Sequence, residues 1–343
     1  MYIIQSFFIY IINVDNININ YIIQDGSKYT AYAFNSAGPA FTVSNSVTGI
    51  VVYEQQDSSN VFKEVTNVNA AEATKDIKHW ALFDCTAGVC ERVYGYRKIG
   101  SRYASLSYTY DNELLTEEDL TEKKCTSSAD IGQLLSDGSL CLVPNDTAAS
   151  QVKGTMADGN YLLSGGQNLV FAELGQDQSV VVKATSNSFT LKPLTAVNIL
   201  KVDEQVVSTP TTTDFSTATS AAKIFIYQCS ELHACQSVNG YVKDAGVYYA
   251  MDNATGASKI TPVQVSCSSH VGEIVKDADE VNYFCLTSTS MISLAAPTGK
   301  HYIVGTTATT SKINSNKLIK ITSDYIIEDI TLDGIYINFF FNK

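Results

Sequence analysis

Short runs rich in Val, Ile, Thr and Tyr, broken by Gly, Asn, Asp and Ser, recur along the whole chain and predict β-strands. Examples are Ser46–Tyr53, Gln178–Lys183, Ile224–Tyr227 and Lys317–Ile321. One stretch reads differently. Asn112–Lys124 combines good helix formers with acidic residues ahead of basic ones, which predicts a helix. The matching stretch later in the chain, Ala254–Pro262, carries no such pattern, so a helix there is an insertion and not framework. The fold class expected is all-β, mostly antiparallel.

The eight cysteines show how these strands are organised. Cys85, Cys90, Cys125 and Cys141 are answered by Cys229, Cys235, Cys267 and Cys285, at offsets of 144, 145, 142 and 144 residues. Other matches follow the same spacing. Cys90-Glu-Arg-Val-Tyr-Gly95-Tyr96-Arg-Lys98 answers Cys235-Gln-Ser-Val-Asn-Gly240-Tyr241-Val-Lys243. Ile131-Gly132-Gln133-Leu134-Leu135 answers Val271-Gly272-Glu273-Ile274-Val275. Gly159-Asn160-Tyr161-Leu162-Leu163 answers Gly299–Val304, and Gly26-Ser27-Lys28-Tyr29 reads as a third occurrence. The chain is a tandem repeat. Four Cys per copy fit two disulfides and an oxidising compartment, with three pairings open in each copy. Zinc is the rival reading. The drift of ligand spacing between copies, four residues against five and fifteen against seventeen, speaks against it.

These matches divide the chain into an atypical apolar N-terminus (1–25), the tail of a preceding repeat (26–54), a polar linker (55–76), repeat unit 1 (77–204), a Thr/Ser-rich linker (205–220), repeat unit 2 (221–330) and an atypical C-terminus (331–343). The units are expected as disulfide-bridged modules in tandem, with β-solenoid-like stacking as the alternative. The first residues are apolar, but no Lys or Arg precedes Lys28 and no small-residue cleavage site follows. The stretch is thus neither a standard secretory signal nor long enough to span a bilayer. Both ends read as margins of a fragment of a longer array, with a genuine N-terminal edge strand as the alternative.

Composition narrows the chemistry. Thirty-five acidic and 23 basic side chains give a net charge of −12, which disfavours a nucleic-acid backbone as partner. No G-x-S-x-G, H-E-x-x-H or P-loop is present. His79, Asp84, His270 and His301 have no counterparts in the other copy. These unmatched positions point to adhesive or spacer modules, not an enzyme, and neither cofactor nor metal is expected. Asn145-Asp-Thr147 and Asn253-Ala-Thr255 are N-glycosylation sequons. The Gly-Tyr pairs carry the main binding hypothesis. Tyr96, Tyr103, Tyr241 and Tyr249 are candidates for an exposed recognition patch, against a competing reading in which Tyr96 and Tyr241 pack in a hairpin core. The Gly132 and Gly272 motifs read as turns into buried strands, with Asp137 and Asp277 forming the turns.

Taken together, the Cys ladder, C-x4-5-C-x4-G-Y-x-K, [IV]-G-[QE]-[LI]-[LV], [LF]-C-L and the closing Tyr-apolar run resemble the repeat of scaffoldins from anaerobic gut fungi, over roughly residues 26–325. The resemblance implies a secreted or cell-surface, non-catalytic cellulosome scaffold that binds dockerin-bearing plant-cell-wall hydrolases. It transfers no ligand-binding residue. A carbohydrate-binding or cell-wall adhesin array, holding plant polysaccharide, is the main alternative, although a single Trp (Trp80) is sparse for a glycan platform. A secreted β-rich hydrolase comes second.

Overall fold

Antiparallel pairing organises almost all of the described strands, Val263–Gln264 alone running parallel to its neighbour, Ile274–Lys276. The computed structural model describes residues 19–331, apart from 36–39, 58, 69–75, 158, 165–178, 193, 195, 218–222, 230–234 and 298. Most of the N-terminal stretch and nearly all of 331–343 thus lie outside the described residues. The chain splits into two compact units. Met1–Gly159, Gly165–Ala172 and Val182–Pro193 form the first. Asn160–Ser164, Glu173–Val181 and Leu194–Lys343 form the second.

The first unit opens with β1 (Ile19–Asp25), β2 (Lys28–Asn35), β3 (Ala40–Val43), β4 (Gly49–Gln55), β5 (Val61–Glu64), β6 (Trp80–Thr86) and β7 (Val89–Val93). They pair in the order β1-β5-β4-β6-β7-β2-β3, and β1 also pairs β2. Six strands therefore close into a small antiparallel barrel, with β3 on its flank. Its interior holds Ile22, Ala31, Tyr53, Phe62, Phe83, Cys85 and Cys90. Phe83 sits at the centre of an aromatic cluster, 5.0 Å from Phe62, 5.2 Å from Tyr29 and 6.0 Å from Tyr53 between ring centroids. Such edge-to-face contacts add to the burial itself.

The chain continues through β8 (Gly95–Ile99), β9 (Arg102–Leu106), β10 (Glu113–Leu115), the one-turn helix α1 (Glu117–Thr121), β11 (Leu140–Val143) and β12 (Val152–Gly154). Next come β13 (Gly159–Ser164), β14 (Ser179–Thr185) and β15 (Ser188–Leu191). In the first unit β15 pairs the last residues of β14 and also β8, which carries β9 and then β10.

In the second unit β13 and β14 are joined by β16 (Val197–Asp203), β17 (Val206–Ser208), helix α2 (Thr212–Ser216), β18 (Ile224–Cys229) and β19 (Cys235–Val238). Their order, β13-β17-β16-β18-β19-β14 with β14 back beside β13, is the first barrel's plan again. Leu200, Val207, Tyr227, Cys229 and Cys235 line this core. They take the places of Tyr53, Phe62, Phe83, Cys85 and Cys90. Beyond it run β20 (Gly240–Asp244), β21 (Val247–Asp252), β22 (Gly256–Ile260), β23 (Val263–Gln264), β24 (Ile274–Lys276), β25 (Asn282–Cys285), β26 (Met291–Ser293), β27 (His301–Ile303), β28 (Leu318–Ile321) and β29 (Tyr325–Glu328). The run β22-β21-β20-β29 of the second unit answers β10-β9-β8-β15 of the first. Single hydrogen bonds recur as well. Lys98 N–H donates to Asn187 O at 2.7 Å and Lys243 N–H to Asp324 O at 2.8 Å. Leu191 N–H donates to Tyr94 O and Glu328 N–H to Asn239 O.

The cysteines pair as Cys85–Cys90, Cys125–Cys141, Cys229–Cys235 and Cys267–Cys285. The all-β, disulfide-bridged expectation holds, and the spacing left the connectivity to be decided by the fold. The short bridges join directly opposed residues of the β6–β7 and β18–β19 hairpins. The long ones close loops in which Gly132 N–H donates to Cys141 O and Gly272 N–H to Cys285 O, both at 2.8 Å.

Three local readings change. The stretch 55–76, read as a linker, supplies β5, a stave of the first barrel; 205–220 likewise supplies β17 and α2. Short polar strands that bury only one residue, such as Phe62 in Val-Phe-Lys-Glu, leave little apolar periodicity to read. The earlier repeat tail starts at β1, not at Gly26, which only turns the β1–β2 hairpin. Asn20-Tyr21-Ile22-Ile23 on β1 answers Asn160-Tyr161-Leu162-Leu163 on β13. Finally, the predicted helix over 112–124 shrinks to Glu117–Thr121, capped by Thr116 and Asp119. Leu114 and Leu115 pair with Ala104 and Tyr103 instead, since sheet burial outweighs weak helix propensity.

Each Gly-Tyr glycine is explained by crowding. A Cβ on Gly95 would stand 2.0 Å from Phe189 O, and one on Gly240 would stand 2.2 Å from Ile326 O. Gly95→Ala and Gly240→Ala are each expected to cost about 1–3 kcal/mol in urea unfolding, because the obstacle is backbone. Loop-closure entropy ranks the bridges. Replacing Cys125 and Cys141 together by Ala is expected to cost about 3 kcal/mol, and replacing Cys85 and Cys90 about 2 kcal/mol, in the same assay.

Candidate interaction surface

The tyrosines singled out by the repeat are mostly interior. Tyr96, Tyr241 and Tyr249 are 5%, 3% and 4% exposed, and Tyr103 is half-buried. Buried rings cannot receive a partner, so the recognition patch proposed from the sequence gives way to the core reading. The pattern of alternation along the strands is the cause. Tyr96 and Tyr241 follow a glycine that lets the next strand close in, which turns their rings to the covered face. Tyr249 packs against Phe215 of α2, with ring centroids 4.9 Å apart.

These tyrosines act as clamps. The Tyr241 hydroxyl donates to Gly272 O at 3.0 Å, and Ser311 Oγ donates to the same carbonyl at 2.9 Å. The Tyr96 hydroxyl bonds to the backbone of Leu134. Each thus fastens a long disulfide loop to the sheet of its own unit. Burial pushes the Tyr241 pKa up to about 12 and raises that of Tyr96 as well.

An exposed aromatic group does exist, at a turn that sequence reasoning passed over. Residues Ser107–Asn112 join β9 to β10. Asn112 fixes this turn: its Nδ2 donates to Ile77 O and Trp80 O at 2.8 Å, and its Oδ1 accepts from Ser107 N–H at 2.9 Å. Tyr110 holds a positive φ of 64°, uncommon for a bulky side chain and a mark of a constrained loop. Tyr108 is 43% exposed. The Arg92 guanidinium from β7 lies 4.7 Å from the Tyr108 ring and 4.2 Å from the Tyr110 ring, and its Nη2 donates to Tyr108 O at 2.8 Å. Tyr94 meets Tyr108 edge-on at 6.0 Å, and His79 lies 6.3 Å from Tyr110. Burial raises the Tyr110 pKa, and the Arg92 charge opposes that rise. The turn thus exposes one ring, Tyr108, beside the Arg92 cation, while Tyr110 packs against the first barrel's core with its hydroxyl buried. A sequence signal was available in Tyr108-Thr-Tyr110, but it lies outside the repeated motif: Ser237 and Asn239 stand where Arg92 and Tyr94 would be.

Several acid–base groups pair with one another. Lys183 Nζ contacts both Asp84 oxygens at 2.8 and 2.6 Å. In the second unit the residue before the first hairpin cysteine is Gln228. Its Nε2 donates to the buried Asp329 Oδ1 at 2.8 Å, while His301 Nε2 meets Asp329 Oδ2 at 2.8 Å. Burial disfavours the Asp329 charge, yet hydrogen bonds from Thr331, Gln228 and His301 outweigh it and hold the pKa below the usual range. His270 is likewise engaged, with Glu273 at 2.7 Å. Among the described residues no cluster of three or more His, Cys, Asp or Glu could hold a metal ion. None of their helices is long and apolar enough to cross a membrane. Asn145 and Asn253, the sequon residues, are both exposed.

No protein-family model matches the chain, and no curated protein matches it either.

Buried and exposed tyrosines are expected to behave oppositely. Tyr241→Phe should lower unfolding free energy by about 1 kcal/mol through the lost hydrogen bond. Tyr108→Ala should stay within about 0.5 kcal/mol of the parent protein, as surface substitutions do. Urea midpoints measure both.

Proposed function

We propose that this chain is a secreted, non-catalytic scaffold of the scaffoldin kind, whose repeats gather dockerin-bearing plant-cell-wall hydrolases. The observation that carries this reading is duplication of framework without duplication of reactive groups. The barrel plan, both disulfides and the Gly-Tyr clamp occur twice. Asp84, by contrast, is replaced by Gln228, and His270 and His301, which have no counterparts in the other copy, each engage one carboxylate. An array of this kind gains from multivalency: linked copies raise the local concentration of bound partners without a strong single-site affinity. Four disulfides fit an oxidising, extracellular setting, where Asn145 and Asn253 would carry glycans.

A second reading is favoured by one feature, the turn around Arg92 and Tyr108. One exposed tyrosine, Tyr108, beside a cation would suit a polysaccharide chain, as in a cell-wall adhesin.

The test uses the full chain, because fragments cut at the cysteine-defined boundaries would sever both barrels. With the protein immobilised, dockerin modules are expected to be retained and insoluble plant polysaccharide is not. Retention of polysaccharide alone, lost on Tyr108→Ala, would replace the scaffold with the adhesin. Turnover of polysaccharide by the purified chain would replace both with a hydrolase.

A further inference from the structure

A scaffold that engages one partner per copy must carry its contact residues in every copy. The turn around Arg92 and Tyr108 occurs once and does not meet that requirement. Most residues that recur at matched positions have a structural duty. The cysteines form bridges, Gly95 and Gly240 admit a neighbouring backbone, and Tyr96 and Tyr241 clamp the long loops. The lysine that ends the same motif has no such duty. Lys98 and Lys243 are both exposed. Neither belongs to any of the ion pairs among the described residues.

The surroundings of this lysine recur too. Lys98 lies opposite Tyr103 and Lys243 opposite Tyr248. On its other side each lysine meets a Thr-Ser-Asn or Thr-Ser-Asp turn, at 185–187 in the first unit and 322–324 in the second, whose third residue accepts the lysine N–H. The turn threonine holds that residue in place. Asn187 N–H donates to Thr185 Oγ1 at 3.4 Å, and Asp324 N–H to Thr322 Oγ1 at 3.2 Å. Ser186, Asn187, Ser323 and Asp324 are all exposed. In the second unit Lys243, Tyr248, Thr322, Ser323 and Asp324 line a small depression. The Lys243 ammonium stands 5.6 Å from the centre of the Tyr248 ring.

We propose that this pairing of lysine and turn is the partner-binding site of each copy, and that it receives a carboxylate side chain of the partner protein. The ammonium and the serine hydroxyl can both donate, and a carboxylate accepts from both. On a chain of net charge −12, an exposed cation without an acidic partner is where an acidic group meets attraction instead of repulsion. The inference rests on the scaffold reading, which supplies the partner, and adds where that partner docks. The two copies differ at the third turn residue. The Asn187 amide can donate to the incoming carboxylate, whereas Asp324 repels it, so the first unit carries the tighter site.

The test titrates the full chain with a dockerin module in a calorimeter. Two modules per chain are expected. Lys98→Ala and Lys243→Ala should each weaken one site about tenfold and leave circular dichroism and the thermal midpoint unchanged. Asp324→Asn should tighten the second site about threefold, and added salt should weaken both sites. If the parent chain binds modules and the double variant Lys98→Ala, Lys243→Ala binds them equally well, docking lies elsewhere: the proposal falls and the scaffold reading stands. If the parent chain binds none, both fall. Unchanged or weaker binding by Asp324→Asn would overturn the assignment of a carboxylate.

Discussion

Closure of the six-stranded ring is the constraint on which this fold rests. A six-stranded antiparallel sheet left open would expose two edges, and this one removes both by returning β1 to β5 and β2 to β7. The position of the short disulfide follows from that closure. Cys90 lies opposite Tyr29 across the β7–β2 seam, and Cys235 lies opposite Ser179 across the equivalent seam. A bridge between Cys85 and Cys90 stiffens the hairpin whose outer strand makes that seam. It restrains the stave that must arrive in register, where a bridge elsewhere would hold strands already joined by a tight turn. Both Cys side chains also face the barrel interior, so the cross-link contributes to the core it secures.

Outside the barrels, two contacts set the geometry of the long disulfide loops. Glycine at positions 95 and 240 admits a neighbouring backbone that any side chain would hold off. The following tyrosine then reaches through the core to a loop backbone, at Leu134 in one unit and Gly272 in the other. A hydroxyl in such a place is costly unless bonded, and here it is bonded to a group that itself needs a partner. Gly and Tyr therefore repeat together for one structural reason. That reason accounts for a motif that resembles, in the sequence alone, a pair of surface recognition residues.

How far the sequence could be read varies with how much each feature depends on distant contacts. The cysteine ladder and the [IV]-G-[QE] loops were legible because each is a local device with a fixed spacing, and Asp137 and Asp277 form their turns as expected. The barrels were not legible. Their strands come from both sides of the boundary that the cysteines mark, and β5 and β17, four and three residues long, are too short to announce themselves. The repeat tail was misplaced by one hairpin strand because a turn glycine, Gly26, resembled Gly159. The firmer match was Asn-Tyr followed by two aliphatic residues, one of which, Ile22 or Leu162, enters each barrel. At the turn around Arg92, repetition misled in the opposite way. The feature occurs once, so a search for recurrent residues discards it.

The staggered construction changes what a copy of the repeat is. In a string of beads, each cysteine-defined unit would carry its own core, and losing one would leave its neighbours intact. Here a barrel takes its opening hairpin from the tail of one copy and its Cys-bridged hairpin from the head of the next. The burial of Phe62 and Phe83 against Ile22, or of Val207 and Tyr227 against Leu162, is therefore stabilisation that neither copy holds alone. Linear repeat proteins in which the neighbour term is large lose stability at their ends first and gain it with length. An array built this way couples its copies at every barrel. The polar exchange of Asp84–Lys183 for the buried Gln228–Asp329 pair marks where such coupling tolerates variation: beside the cross-linked hairpin, where each copy satisfies its own hydrogen bonds. Framework positions at the seam have no comparable freedom, because a change there must suit residues from two copies together.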